Sequence, residues 1–147
     1  MKMEKKYKLT DDTINVGSKK LCRIEALKDF GDVKKGDKGG FIEDEYNLSH
    51  DGNSWVFDNA MVYGNAMVYG KVKIENNSDY IVFKNWWSSG RYFTWTRSNN
   101  MWKVGCFYGT GEELIKKAYK DSEKSGREYE RVVKYVESIL SDEKKYI

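Results

Sequence analysis

The apolar positions of this chain follow three different periods, and each period marks off a region. In residues 55–74, WVFDNAMVYGNAMVYGKVKI, the period is six. Residues 59–64 read NAMVYG and residues 65–70 read NAMVYG again. Val56, Val62, Val68 and Ile74 recur at that spacing, and so do Ala60, Ala66 and Val72. An α-helix needs apolar residues three and four apart, and plain strand alternation does not keep the same two slots apolar and compact. A chain that turns a corner every six residues does both. The β-branched residue fills the inside of a flat face, the Ala sits where the backbone bends inward, and Gly or Asn takes the turn. The pattern predicts a short left-handed parallel β-helix.

Upstream, Tyr7 to Thr10, Ile14 to Val16 and Lys20 to Leu27 read as strands, with Gly17-Ser18 as a turn. Residues 31–54 are rich in Gly and Asp. Val33, Ile42 and Leu48 fit the inside of a first irregular coil, with Gly36, Gly39, Gly40 and Gly52 as its corners. Together these pieces make only about two coils, too few to bury a continuous core unaided. The N-terminal strands and the chain after Ile74 are the expected caps, unless the solenoid oligomerises. If Val and Ala point in, then Met61, Tyr63, Met67 and Tyr69 point out. They form an apolar flank for self-association or for docking of the C-terminal helices.

After the polar connector 75–79 the period falls to two. Tyr80 to Asn85, Tyr92 to Arg97 and Met101 to Phe107 predict a three-stranded antiparallel meander, turning at residues 88–90 and 98–100. The period then becomes helical. Thr110 and Glu113 form a capping box ahead of Leu114, Ile115, Ala118 and Tyr119. Ser125 and Glu128 form a second one ahead of Tyr129, Val132, Val133, Val136, Ile139 and Leu140. The domain reading is therefore 1–79 for cap and β-helix, and 80–147 for an α+β unit of one sheet with two helices.

Composition narrows the chemistry. The net charge of +3 does not by itself imply nucleic acid, and direct binding to it is not the favoured reading. One His and two Cys without CxxC spacing give no metal quartet, and no cofactor is expected. The start, MKMEKKYKL, has no hydrophobic segment of a signal peptide, and no apolar run is long enough to span a bilayer. A reduced, cytoplasmic setting is the expectation.

Three stretches in order carry a family resemblance: LCRIEALKDFGDVKKGDKGGFIEDEYNLS at 21–49, WVFDNAMVYGNAMVYG at 55–70, and WKVGCFYGTGEEL at 102–114 with the helix after it. They resemble a family of bacterial and phage-borne hexapeptide-repeat proteins with an N-terminal cap, a left-handed β-helix of variable length and a small α+β tail. The resemblance implies that fold and a phage or mobile-element setting in a bacterial host cell. It implies no activity.

Hexapeptide folds are known for acyl transfer with a His base, and His50 beside Asp51 is the one candidate here. In LSHDGN it reads as a surface turn residue instead. A carbonic anhydrase of this fold needs three His, which excludes it. Cys106 alternates in phase with Trp102 and Val104 and reads as a packed core thiol rather than a nucleophile. The loop GCFYGTGEE lacks the residues of a phosphate loop, and Glu112 and Glu113 would repel an anion there.

Residues 80–111 stand out. They hold no Asp or Glu, but contain Lys84, Arg91, Arg97 and Lys103 among ten aromatics. Part of this set is expected to cap the solenoid, and Trp86, Trp87, Arg91, Tyr92, Trp95 and Arg97 are the candidates for a partner- or ligand-binding surface. The first functional reading is a non-enzymatic phage protein that binds and inhibits a host protein, an anti-defence factor whose target would be of the CRISPR-nuclease kind. A nucleotide or glycan binder comes second, and a hexapeptide acyltransferase is a distant third.

Overall fold

The computed structural model describes residues 4–145. The elements are β1 (Tyr7–Val16), β2 (Lys19–Ala26), β3 (Lys38–Ile42), β4 (Trp55–Val56), β5 (Met61–Val62), β6 (Lys73–Ile74), β7 (Tyr80–Lys84), β8 (Tyr92–Thr96), β9 (Met101–Val104), β10 (Phe107–Gly109), α1 (Gly111–Asp121) and α2 (Glu123–Lys145). They form a four-stranded mixed sheet ordered β1-β2-β3-β5, a two-stranded parallel sheet β4-β6 and a four-stranded antiparallel sheet β10-β9-β8-β7. No helix of the described residues is long and apolar enough to cross a membrane.

This overturns the left-handed β-helix drawn from the six-residue period: no solenoid forms among the described residues. The repeat positions are buried, with Val56, Val62, Ala66, Val68, Val72 and Ile74 all in the first core. Their parallel pairing is fragmentary. It consists of Phe41–Met61 and Ile42–Val62, Trp55–Lys73 and Val56–Ile74, and the single bridge Leu48–Val68. The physical reason is the number of neighbours. With so few repeats, each short segment finds at most one parallel partner. On its other side β3 pairs with β2, which is antiparallel. The N-terminal hairpin is thus a member of a mixed sheet, not a cap on a solenoid. Gly39 and Gly40 are not corners either. They lie inside β3, where a Cβ on Gly39 would stand 2.6 Å from the Val56 carbonyl oxygen and 2.8 Å from Trp55 Cε2.

The C-terminal sheet has four strands rather than three. Gly105, at a φ of 55°, turns the chain after Val104, so the segment read as one strand becomes β9 and β10. This sheet is the middle layer of the molecule. Along β7, Tyr80 and Val82 pack on the first core, while Ile81 and Phe83 pack on the second. Along β8, Phe93 and Trp95 face the helices, and Thr94 accepts a hydrogen bond from Met67 N at 2.9 Å. The period of two set this division.

The helices close the second core. Thr110 and Glu113 form the predicted capping box of α1, with Glu113 N donating to Thr110 Oγ1 at 3.2 Å and Thr110 N to Glu113 Oε1 at 2.9 Å. The second box is not where the sequence put it. Helix α2 starts at Glu123, so Ser125 is inside it, and Ser122 Oγ accepts from Ser125 N at 3.0 Å. Tyr129, Val133 and Val136 are buried as their spacing predicts.

Candidate functional site

Asn85 builds the loop between β7 and β8. Its Oδ1 accepts from Ser88 N at 2.9 Å and its backbone closes the loop against Gly90 and Arg91. That turn sends the two tryptophans in opposite directions. Trp86 points out and is 67% exposed. Trp87 points in, edge-on to Tyr129 with ring centroids 4.8 Å apart, and donates from Nε1 to Ser125 Oγ at 3.4 Å. Lys124 Nζ stands 5.7 Å over the Trp86 ring and Lys84 Nζ 5.8 Å over the ring of Tyr92, which is 39% exposed. Arg91, in the same loop, is exposed. Among the described residues none of Lys84, Arg91, Lys117 and Lys124 has an ion-pair partner.

The six residues named from the sequence therefore fall into two groups. Trp86, Trp87, Arg91 and Tyr92 come together at this loop. Trp95 and Arg97 do not join them. Trp95 is fully buried on the helix side of β8, with Nε1 donating to Asn100 Oδ1 at 2.7 Å, so it presents nothing to a partner. Arg97 covers that ring at 5.4 Å and bonds Glu143 at 2.5 Å and the Ser78 carbonyl at 3.0 Å. It ties β8 to α2 and to the connector.

Beside the loop runs an open groove of about 840 Å³. Val104, Phe107, Leu114 and Ala118 give it an apolar wall, Arg91, Lys117 and Asp121 its charges, and Ser125 and Tyr129 its polar floor. Burial is the main cause that raises the Tyr129 hydroxyl above its ordinary pKa. Cys106 lies at this groove and is exposed. The sequence had it buried with Trp102 and Val104, but the turn at Gly105 breaks the alternation. Lys124, Lys117, Ser125 and Tyr129 were not among the site candidates drawn from the sequence, because helices α1 and α2 meet the loop only in the tertiary fold.

The outward repeat residues have neighbours within the chain. Tyr80 Oη donates to Met61 O at 3.0 Å. Met67 N is held by Thr94, and the Tyr69 ring lies 5.7 Å from that of Tyr108 and 4.6 Å under Lys103 Nζ. Met61, Tyr63, Met67 and Tyr69 are half-buried, and the structure sets the C-terminal sheet, not the helices, against them.

His50 is not a loose turn residue. Its side chain is 18% exposed and its ring stacks on Tyr7 at 4.1 Å. Nδ1 accepts from Lys6 N at 3.0 Å, which fixes the tautomer with the proton on Nε2, 2.8 Å from Glu45 Oε1. That hydrogen bond is the main cause holding the Glu45 carboxyl below its ordinary pKa. Beside it Lys6 is fully buried, with Nζ donating to Ser54 O at 2.7 Å, and burial lowers its pKa to about 8. Nδ1 thus fastens the residue before β1 to the 44–54 segment, and Nε2 braces that segment internally on Glu45.

Comparison with known proteins finds no protein-family model and no curated protein that matches this chain.

Proposed function

We propose that this is a non-enzymatic binding protein that engages and inhibits a partner protein through the β7–β8 loop. The observation that carries the reading is Trp86, a large ring two-thirds exposed under the ammonium of Lys124, which has no ion-pair partner among the described residues. Leaving an indole in water forgoes the burial that most tryptophans obtain, and a buried Trp or Arg at an interface dominates its energy. Lys124 over the ring, with Arg91 and Tyr92 in the same loop region, suits an acidic partner surface with an apolar notch. The resemblance to phage-borne hexapeptide-repeat proteins supports a host protein in the bacterial cytoplasm as partner, with a nucleic-acid-guided nuclease as the candidate. Against the acyltransferase reading, both nitrogens of His50 already make hydrogen bonds within the chain.

The test is affinity purification from a bacterial lysate with the wild-type chain and the variant Trp86→Ala/Arg91→Glu side by side. The reading predicts one host protein retained by the wild type and lost with the variant. Equal recovery on both, or recovery on neither, overturns it.

A further inference from the structure

We propose that the groove between the β7–β8 loop, the β9–β10 turn and helices α1 and α2 binds a small organic acid, one carboxylate or phosphate on an apolar body. The inference does not depend on the partner reading, and it starts from two hydroxyls on the groove floor. Ser125 and Tyr129 are 9% and 7% exposed. Each already accepts a hydrogen bond from a neighbour: Ser125 Oγ from Trp87 Nε1 at 3.4 Å, and Tyr129 Oη from Asn85 Nδ2 at 3.3 Å. Neither donates its own proton to an acceptor among the described residues. A hydroxyl holds one proton and can accept twice. With one accepting position used inside the protein, the proton of each is left for the groove. The floor is therefore a pair of donors, and what it lacks is an acceptor.

The charges agree with that. Among the described residues Arg91 and Lys117 line the groove without ion-pair partners, and Asp121 at the end of α1 is the one carboxylate of the lining. The balance favours a single negative charge over a neutral or positive guest. Hydrogen bonds to an ionised acceptor are about twice as strong as neutral ones. The remainder of the guest has Val104, Phe107 and Leu114 to lie against. A space of about 840 Å³ suits a ligand of ordinary small-molecule size.

Phenylacetate and phenyl phosphate are the two probes, with neutral phenylacetamide as the control. Cys106 at the groove supplies a readout, because a guest slows its alkylation by N-ethylmaleimide. Thermal unfolding is the second readout. We expect at least one anion at millimolar concentration to slow alkylation and raise the melting temperature, with phenylacetamide much weaker. Which of the two binds separates the carboxylate source from the phosphate source. Ser125→Ala and Tyr129→Phe should each weaken binding by about tenfold, the loss of one hydrogen bond to a charged group. Should either variant fail to melt cooperatively, Arg91→Gln at an exposed position takes its place, with the same direction of effect. Equal protection by phenylacetamide, no protection by either anion, or undiminished binding in the variants overturns the proposal.

Discussion

Lys6 gives the sharpest prediction. Its ammonium is fully buried over the Phe30 ring at 5.0 Å, and its partners are neutral oxygens: Ser54 O at 2.7 Å, Ser54 Oγ at 3.2 Å and Gly52 O at 3.4 Å. Burial is the largest cause of its lowered pKa, Lys28 adds to it, and Asp51 opposes it. The sign follows from counting protons. The unfolded chain keeps the Lys6 proton up to about 10.5, and the native state gives it up near 8. Between those values the unfolded state binds more protons, so raising the pH stabilises the fold. The full difference is about 3 kcal/mol, and about 1 kcal/mol of it is gained from about pH 7 to about pH 9. Above about pH 10 the half-buried Tyr80 reverses the trend, because its ionisation is pushed up to about 12 and the unfolded chain loses that proton first. Urea unfolding at the two lower pH values is the assay, with Lys6→Met as reference. Met keeps the stem and removes the charge and its titration. The wild-type midpoint should rise by about 0.5 M relative to the variant between the two pH values. Parallel profiles for the two proteins would refute the buried, depressed lysine.

Three further substitutions test the packing. Gly39→Ala puts a Cβ 2.6 Å from the Val56 carbonyl oxygen and 2.7 Å from Ile24 Cγ1, and should cost about 1–3 kcal/mol in chemical denaturation, although alanine is the better residue for an unstrained backbone. His50→Ala removes the acceptor of Lys6 N and the ring stacked on Tyr7, and should cost about 2 kcal/mol by the same assay. Thr110→Ala removes the cap of α1 and should cost about 1 kcal/mol, with Thr110→Ser recovering most of it.

How much of this was legible in the sequence depended on whether one element could decide the question. The burial of Val56, Val62, Ala66 and Val68 was readable because each residue's side is fixed by its own six-residue neighbourhood. The capping box at Thr110 and Glu113 was readable for the same reason. Strand pairing was not. Whether Phe41 and Ile42 stack as one coil on the next or join a mixed sheet is settled by β2, a strand that carries no trace of the repeat. The period was real, but a solenoid also needs neighbours on both sides of every turn, and about two turns do not supply them.

The aromatic–basic stretch was legible in a different way. Counting ten aromatics in 80–111 showed that one sheet face could not bury them all, but not which would remain outside. The sheet answered by using both faces. Phe93, Trp95 and Trp102 went to the helices, while Tyr80 and Tyr108 went to the repeat segment. Trp86 was left over because Asn85 ends the alternation one residue earlier and starts a loop. The exposed ring is thus a consequence of a turn, not of the strand pattern that drew attention to it. The groove beside it depends on the same turn, since Asn85 also supplies the hydrogen bond that occupies Tyr129. One buried amide therefore both presents Trp86 and leaves the Tyr129 proton facing the groove. Replacing Asn85 by Ala should alter the exposed ring and the groove floor together, whereas Trp86→Ala should leave the groove as it is. That pair of variants separates the two surfaces that this loop joins.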